Sequence, residues 1–537
     1  MSSFTLRLLS ATSALAAVTC LSGIAHAQGN SSNAPGQNKA EVIPAANHDH
    51  TFVLRNAPGK PIDTSVIKEA KDKRRVPYED PLDFAGDKAP QNGHISSAAA
   101  PTTTGLGVDG VGKGFPGFTV QSAPPDTTGA VGATQYVQWV NSSFAVFNKS
   151  TGVAVYGPVA GNTLFTGFGG ACETSNDGDP VVQYDKLANR WVLMQFAVPT
   201  GGPYFQCVAV SRTSDATGLY DRYSFQYTGF NDYPKAGVWP DGYYVTYNIF
   251  NGNSFGGAKV CAMDRASMLA GLAATQQCFQ LSTAYGGLLP ADLDGSIAPS
   301  AGTPNYVMNM GTNKLNLWKF NVNWATPASS TFTGPTAIPV AAFAAACGGG
   351  TCIPQAGTNR TLDSLADRLM YRLAYRKFAD GHEALVVNHA VSFGSGNKNT
   401  YAGTRWYEVR SPNTTPVVFQ QSSYAPDTSS RWMGSIAMDK LGNIALGYSA
   451  SSATIKPAIR YATRLATDAV NTLSNETVVV QGTGSQTGTL SRWGDYSHMS
   501  IDPVDDCTFW YTSEYLKTDG TFNWSTRIAS FKINGCQ

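Results

Sequence analysis

The chain has 537 residues, more than a single hydrophobic core usually holds, so its length predicts several domains or one large closed or repeated architecture. Its 38 Lys and Arg residues nearly equal its 37 Asp and Glu residues, and a formal net charge of +1 argues against nucleic acid as the main partner. Only 14% of the residues are charged, against roughly 25% in an average soluble domain. Glycine (54 residues) and aromatic residues (11%) are plentiful, which is typical of a secreted, strand-rich protein.

Residues 1–27 have the pattern of a secretory signal peptide. Arg7 supplies positive charge, residues 8–24 are apolar, and Ala25, His26 and Ala27 form a small-x-small cleavage site. An uncleaved membrane anchor is the alternative, but the apolar run is short and interrupted by Ser and Thr. No later segment reaches the roughly 18 apolar residues of a transmembrane helix. We therefore expect a secreted protein, periplasmic or extracellular, with no membrane span.

The cysteines that follow the signal peptide predict disulfides. Removal of Cys20 leaves eight cysteines, an even number in an oxidising compartment. A zinc site is the alternative, but no CxxC spacing or neighbouring histidine supports it. We predict four pairs that are local in sequence: Cys172–Cys207, Cys261–Cys278, Cys347–Cys352 and Cys507–Cys536.

Residues 28–119 are predicted to be a poorly structured N-terminal extension that is disordered in part. Residues 28–50 are rich in Asn, Ser, Gly and Gln, and residues 98–118 are rich in Pro, Thr and Gly. One helix is predicted over residues 64–75, where the basic run at 71–75 is interpreted as a solvated helix face or a processing region, with a binding patch as the alternative. The main domain is predicted to span residues 120–537.

From about residue 121 the chain repeats a pattern of an apolar strand, an Asp-containing tight turn and a second apolar strand. Asp185, Asp439 and Asp502 begin three such turns, because a short carboxylate bonds to the local backbone. Asp241 and Asp380, each followed by Gly, mark two further hairpins. The hairpins predict a chain of antiparallel sheets.

A third strand, ending at a basic or polar residue, follows each hairpin. Its seven copies are residues 144–149, 207–212, 260–265, 315–319, 405–410, 459–464 and 527–532. A spacing of about 60 residues is near the period of propeller blades with extended loops. The pattern predicts an all-β fold, a seven-bladed β-propeller or one with six or eight blades, in which ring closure buries both faces of each sheet. A pair of β-sandwiches is the alternative, and short helices are expected at residues 264–274, capped by Asp264, and 341–346.

In such a ring, the first strands begin and the second strands end at one face around the axis. The polar and aromatic residues at these positions are Asp126, Asp179, Asp232, Asp294, Asp367, Arg368, Arg431, Arg492 and Asp495, then Asn141, Gln195, Asn248, Asn388, His389, Ser449 and Glu514, and finally Tyr233, Trp432, Trp493 and Tyr496. Polar groups beside aromatic platforms suit a hydroxyl-rich, partly anionic ligand, such as an extracellular polysaccharide or glycoconjugate. Purely structural roles, in backbone bonding and packing, are the alternative for each residue.

Two chemistries compete at this predicted site. Asp495 and Glu514 are candidates for the acid/base and the nucleophile of glycoside hydrolysis. His389 or His498, with Tyr496 and Arg492, is a candidate set for β-elimination from a uronate. Substrate binding is expected from Asp126, Asp179, Asp232, Arg368, His389, Arg431, Trp432 and Trp493.

Calcium is the one cofactor that the residues suggest. Residues 176–179 and 292–295 are oxygen-rich segments interpreted as turns that could hold Ca²⁺, although neither is a full EF-hand loop. No cluster of histidines indicates a transition metal, and the chain has no P-loop, dinucleotide fingerprint or Gly-x-Ser-x-Gly elbow in a suitable setting.

Residues 213–218, Thr-Ser-Asp-Ala-Thr-Gly, resemble a degenerate Asp-box with one extra residue before the glycine. The sialidase-like (BNR-repeat) propellers carry this turn between the third and the outer strand, which is its position here. The phrases at residues 232–235, 492–496 and 505–511 look like those of secreted bacterial propeller proteins. The resemblance implies a propeller fold and no particular reaction, since propellers host many functions and the sialidase arginine triad is not evident.

The sequence thus leads to two hypotheses. The first is a secreted propeller that binds and processes a glycan at its axial mouth, by hydrolysis or by elimination. The second is a non-catalytic adhesion or scaffold propeller in which the same ring of charges is structural. Neither the substrate nor the oligomeric state follows from the sequence.

Overall fold

The structure of the protein is a computed structural model that describes residues 39–62, 69–70, 74–78, 80, 86–91, 102–394 and 401–537, and of residues 69–70 the backbone alone. The predicted signal peptide and most of the predicted helix at 64–75 lie outside the described residues. The described chain is nearly all β, as predicted, with 50% strand and 5% helix.

Seven groups of four antiparallel strands make up most of the described chain, and we call them sheets 1 to 7; groups 4 and 5 are joined in one eight-stranded sheet. Sheet 1 contains Thr128–Val131, Gln135–Val140, Ser143–Asn148 and Ala154–Ala160; sheet 2 contains Val181–Asp185, Arg190–Ala197, Tyr204–Ser211 and Tyr220–Tyr227; sheet 3 contains Phe230–Trp239, Gly242–Asn251, Ser254–Met263 and Thr275–Gln280. Sheet 4 contains Leu289–Asp294, Asn305–Gly311, Lys314–Asn321 and Thr331–Pro339, and sheet 5 contains Met370–Lys377, Glu383–Phe393, Tyr401–Arg410 and Val417–Tyr424. Sheet 6 contains Ser430–Met438, Ile444–Ser451, Ala458–Arg464 and Thr477–Val480, and sheet 7 contains His498–Ile501, Thr508–Leu516, Trp524–Ile533 and Thr102–Asp109.

The remaining elements are short. Glu41–Pro44 and Asn47–His50 add fifth strands to sheets 3 and 2, Glu69–Ala70 pairs in parallel with Ser122–Ala123, and Thr351–Ile353 pairs with Leu362–Asp363. The α-helices are Gly170–Thr174 and Arg265–Leu269, and the 3₁₀ helices are Leu54–Asn56, Gly161–Phe165, Pro327–Ser329 and Ala346–Gly349. Asp264 caps the second α-helix as predicted, because its carboxylate accepts the N–H of Ser267.

The first strands of the seven sheets are neighbours in numerical order, and the first strand of sheet 7 contacts that of sheet 1. The first strands of sheets 4 and 5 also pair in parallel, with Ala291 opposite Leu373. Each sheet therefore has a neighbour on both faces. Apolar side chains of adjoining sheets fill the space between them; Tyr461 of sheet 6, for example, stacks on Phe531 of sheet 7 with ring centroids 3.8 Å apart.

The predicted hairpins and third strands are confirmed. In the turn of sheet 2, Asp185 Oδ1 accepts the N–H groups of Leu187 and Ala188, both at 3.1 Å. In sheet 6 the Asp439 carboxylate accepts the N–H groups of Leu441 and Asn443 in the same way. All seven segments predicted as third strands are the third strands of sheets 1 to 7.

The Asp-box-like turn lies between the third and fourth strands of sheet 2, as predicted. Asp215 Oδ1 accepts the N–H of Thr217 at 2.9 Å and its hydroxyl at 2.7 Å. Trp191 Nε1 donates to the carbonyl of Ser214 at 3.0 Å, so the turn is anchored on the second strand of the same sheet.

All four predicted disulfides are present: Cys172–Cys207, Cys261–Cys278, Cys347–Cys352 and Cys507–Cys536. In the part of the chain that the structure describes, no helix is long and apolar enough to cross a membrane.

Segments before residue 120 are part of the sheets. Thr102–Asp109 completes sheet 7 by pairing with its third strand, with Val108 opposite Ile528. Farther upstream, Asp87 forms a buried ion pair with Arg405 and accepts a hydrogen bond from Ser423. The described part of the predicted extension is thus ordered against the sheets, and the proposed boundary at residue 120 falls after a strand of sheet 7.

Candidate functional site

A cavity of about 650 Å³ lies where first strands begin. Its wall comes from the loops and strand starts of sheets 1, 2, 3, 5 and 7 and from the segment before residue 120. Seven residues singled out from the sequence line it, namely Asn141, Asp179, Asp232, Tyr233, Arg368, Arg492 and Asp495. These seven residues come from five separate stretches of the chain, and the fold brings them together as the ring hypothesis expects.

The backbone at the cavity is held in left-handed conformations. Asp179 has a φ of 44°, Tyr233 a φ of 55°, and Asp126, which lies behind the wall, a φ of 47°. The register of sheet 3 shifts between Asp232 and Lys235. Non-glycine residues rarely adopt such conformations, and their clustering at one place is typical of sites where geometry matters more than local stability.

Asp495 is a fixed carboxylate of the cavity. Its side chain accepts a hydrogen bond from Arg492, and its backbone N–H donates to Asp126 Oδ1 at 3.0 Å. Burial opposes ionisation of Asp495, but the charges of Arg492 and Arg368 outweigh it, so its pKa is lowered. Asp495 is therefore ionised at neutral pH.

Asp232 has the opposite tendency. Burial, and then the nearby charge of Asp179, raise its pKa to about 7, against a partial opposing effect of Arg74. Lys235 of the same strand is buried between two rings, with its Nζ 3.6 Å from the ring centroid of Tyr233 and 3.9 Å from that of Tyr496. The cavity thus holds one carboxyl group that keeps a proton near neutral pH and one that does not, the arrangement used in acid/base catalysis.

Glu514 and Tyr496, two of the predicted catalytic residues, are not on the cavity wall. Glu514 is 3% exposed, and burial, with Asp126 nearby, raises its pKa well above the usual range. Tyr496 is buried and its hydroxyl donates to the carbonyl of Pro180 at 3.0 Å. The structure therefore does not place Asp495 and Glu514 side by side in the open space.

Both predicted histidines are packed away from the cavity. His498 is buried, its Nδ1 accepts the N–H of Gly129 at 3.2 Å, and burial with the charge of Arg372 lowers its pKa well below the usual range. His389 is buried between sheet 5 and Phe343, with its Nε2 2.9 Å from the hydroxyl of Tyr407. The two side chains do not join Tyr496 and Arg492 in one open cluster.

Four more of the residues predicted to bind ligand contact other protein groups instead of the cavity. Arg431 is buried between Asp427 and Glu476, each 2.9 Å from its guanidinium. Trp432 and Trp493 are buried against each other with ring centroids 5.8 Å apart. Asp126 accepts a hydrogen bond from Asn141 Nδ2 at 3.0 Å and contacts the cavity only through its neighbours. Their predicted strand positions are right, but their side chains contact other protein groups and do not line the cavity.

Asp294 is a correction to the predicted ring, because it ends the first strand of sheet 4 instead of beginning it. Together with Asp292 it binds Arg372, and Lys186 Nζ lies 2.6 Å from Asp294 Oδ1. Residues 292–294 are thus strand residues in a buried cluster of two carboxylates and two cations, and the calcium turn predicted at 292–295 is wrong.

The other predicted calcium turn also uses its oxygens within the protein. Asn176 Oδ1 accepts the N–H of Asn162 at 3.2 Å, and Asp177 Oδ2 accepts the N–H of Val198 at 2.7 Å. Within the described ranges, no group of three or more His, Cys, Asp or Glu side chains is placed to hold a metal ion.

Several cavity residues were not anticipated from the sequence. Phe196 and Phe230 contribute rings that meet edge to face, with centroids 5.5 Å apart. Ile62 and Arg74 come from the segment predicted to be an extension. Phe230 could have been found, since it lies two residues before Asp232 at the start of the same strand. Arg74 belongs to the basic run of residues 71–75, which was interpreted as a solvated helix face or a processing region, and no local signal marks Ile62.

No family model and no curated protein matches the chain. Among solved structures, it is similar to an endo-arabinase from Bacteroides thetaiotaomicron VPI-5482 (14% identity, 55% of this chain and 95% of that chain covered, TM-score 0.26). It is also similar to the polysaccharide lyase Uly1 (10% identity, 92% and 100% covered, TM-score 0.34) and to the N-terminal domain of Nup159 (6% identity, 87% and 99% covered, TM-score 0.34). Scores this low carry no argument about the site, so the chemistry must be inferred from the residues themselves.

Proposed function

We propose that the protein is a secreted seven-bladed β-propeller that binds an extracellular glycan in the cavity and hydrolyses it. The closed order of the seven first strands supports the blade count, because each sheet then packs between two others. The four disulfides support an oxidising compartment, and the signal peptide over residues 1–27 remains a prediction. The likeness to sialidase-like propellers rests on the turn at Asp215 alone.

The opposite protonation of Asp232 and Asp495 in one cavity carries the hydrolytic proposal. In this scheme Asp232, whose pKa is raised to about 7, protonates the leaving glycosidic oxygen. Asp495, kept ionised by Arg492 and Arg368, acts as the nucleophile or as the base that activates water. The rings of Phe196 and Phe230 on the cavity wall suit contact with the C–H faces of sugars. The ring of Tyr233 is covered by Lys235 and Arg368.

β-Elimination has less support. It requires a base that reaches the proton next to a uronate carboxylate, and His389 and His498 are both buried and bonded elsewhere. Among the described residues, Tyr233 is the tyrosine that lines the cavity. Burial raises its pKa, and this disfavours a tyrosinate as the base.

A non-catalytic scaffold is the second candidate, and the ion pairs of the site favour it. Arg368 is bonded to Asp367, with Nε 2.9 Å from Oδ1, and Arg492 to Asp495. Arg492 also lies 3.6 Å from Asp363, in the segment before sheet 5, so charges that neutralise each other within the protein also hold separate segments together.

Assays of purified protein on a polysaccharide panel test the proposal. We expect newly formed reducing ends. We expect no unsaturated products, which would be detected by their ultraviolet absorbance. Asp232→Asn and Asp495→Asn should each lower the rate about 100-fold or more, because each removes a group that acts on the reacting atoms. Asp380→Asn, in an exposed hairpin turn of sheet 5, is the matched control and should keep full activity. Absence of turnover on every glycan would leave the scaffold as the better account. Full activity in both cavity variants would instead overturn the catalytic roles of Asp232 and Asp495.

A further inference from the structure

The segment before residue 120 is attached on both sides of the cavity. On one side Lys60 Nζ donates to the carbonyl of Glu173 at 2.7 Å, and the backbone N–H of Lys60 donates to Thr163 Oγ1 at 3.0 Å. On the other side Val76 N–H donates to Asp367 Oδ2 at 3.3 Å. Ile62 and Arg74 lie between these attachments and line the cavity.

Arg74 is held at the cavity by its backbone and by two aromatic rings. Its carbonyl accepts a hydrogen bond from Arg368 Nη2 at 2.8 Å. The guanidinium carbon lies 4.8 Å from the ring centroid of Phe230 and 4.9 Å from that of Phe250. Stacking of this kind fixes the plane of a guanidinium while leaving its N–H groups able to donate.

The guanidinium of Arg74 differs from the other two that line the cavity. Arg368 is paired with Asp367, and Arg492 with Asp495. Among the described residues, no carboxylate lies within ion-pair distance of Arg74; its one hydrogen bond there is a long one, 3.5 Å from Nη1 to the carbonyl of Gly252. A positioned arginine with this much donor capacity left is suited to a ligand carboxylate.

We propose that Arg74 is a specificity residue that binds the carboxylate of an acidic sugar in the cavity. The inference rests on the proposed glycan-binding function and narrows its substrate to uronate-containing chains. It also makes the N-terminal segment part of the binding site, so that a mature protein lacking this segment would lose its preference for acidic glycans.

Matched ligands test this role without depending on turnover. The probes are uronate oligosaccharides of several types, each paired with its methyl ester, which keeps the sugar and removes the charge. The wild-type protein should bind at least one acid about tenfold or more tightly than its ester, because a hydrogen-bonded charge pair is lost in the ester. Arg74→Gln should bring this ratio to about one and leave binding of the ester unchanged. Arg74→Lys should retain part of the preference, since lysine keeps the charge but not the planar donor geometry.

Arg55→Gln is the control variant, because Arg55 belongs to the same segment but pairs with Asp215 away from the cavity. It should leave the acid-to-ester ratio unchanged. Equal binding of every acid and its ester by the wild-type protein, or an unchanged ratio in Arg74→Gln, would overturn the role of Arg74. If the wild-type protein hydrolyses no glycan but still shows the Arg74-dependent preference for acids over esters, only the catalytic proposal is overturned. The two failures are therefore distinguishable.

Discussion

At the scale of single residues, the site combines groups with similar chemistry in different surroundings. Asp232 and Asp495 are both aspartates at the start of a first strand, yet burial with the charge of Asp179 raises the pKa of Asp232, whereas the charges of Arg492 and Arg368 outweigh burial and lower that of Asp495. Arg492 lies directly on Asp495, whereas Asp179 adds a like charge near Asp232. The protonation states at neutral pH are thus decided by contacts between sheets.

The raised pKa of Asp232 predicts a pH-dependent stability. Because its folded-state pKa of about 7 lies above the usual 3.8, the folded protein holds this proton more tightly than the unfolded chain. The contribution of Asp232 to stability should therefore be full below about pH 4 and fall as the pH rises to about 7. Asp232→Asn cannot titrate, so it should lose this fall and exceed the wild type at pH 8 by about 4 kcal/mol at most.

Urea unfolding of both proteins between pH 4 and pH 8 measures the difference. Asp232→Glu is the control, because it keeps a titrating carboxyl at the same place and should retain the decline. Parallel curves for Asp232→Asn and the wild type would contradict the raised pKa.

At the scale of elements, local signals agree with the strands that form. Asp185 and Asp439 begin turns because their carboxylates accept backbone N–H groups of the next few residues, an interaction that needs nothing distant in sequence. The disulfides also join nearby elements, so their pairing could be predicted from spacing. Asp294 was misplaced because it ends the strand Leu289–Asp294, whose start is marked by the turn residues Gly286 and Gly287.

The disulfides should differ in their contributions to stability according to the loops they close. Cys507–Cys536 joins residues 29 positions apart, and Cys347–Cys352 joins residues 5 apart. The entropy of the unfolded chain predicts a loss of about 3.5 kcal/mol on removing the first and about 2 kcal/mol on removing the second. Denaturant unfolding of the two double-serine variants measures this order, and a larger loss for the short loop would contradict it.

At the scale of the whole molecule, the chain upstream of residue 120 joins sheets that are remote in sequence. Thr102–Asp109 supplies the fourth strand of sheet 7, whose other strands begin at His498. Farther upstream, Asp87 pairs with Arg405 in sheet 5. The N-terminal segment therefore completes sheet 7, contacts sheet 5 and forms part of the cavity wall.

Chains with different starting points should separate these contributions. A chain that begins at residue 102 keeps the strand in sheet 7 but loses the upstream contacts, and we expect it to fold with a lower melting temperature. A chain that begins at residue 110 exposes the edge of the third strand of sheet 7, so we expect aggregation or non-cooperative unfolding. Size-exclusion chromatography and thermal unfolding by circular dichroism measure the difference. Identical melting of the two chains would show that the strand is dispensable.

By itself the sequence determined the strand pattern, the turns and the disulfides, because alternating burial, short polar turn residues and cysteine spacing act over a few residues. The tertiary structure decided which polar residues face the cavity. Strand register and loop path place Asp232 and Asp495 on its wall, but turn Trp432, Trp493 and both predicted histidines into the packing between sheets. It also decided that Arg74 belongs to the site, since its position depends on contacts with residues about 150 or more positions away, such as Phe230 and Arg368.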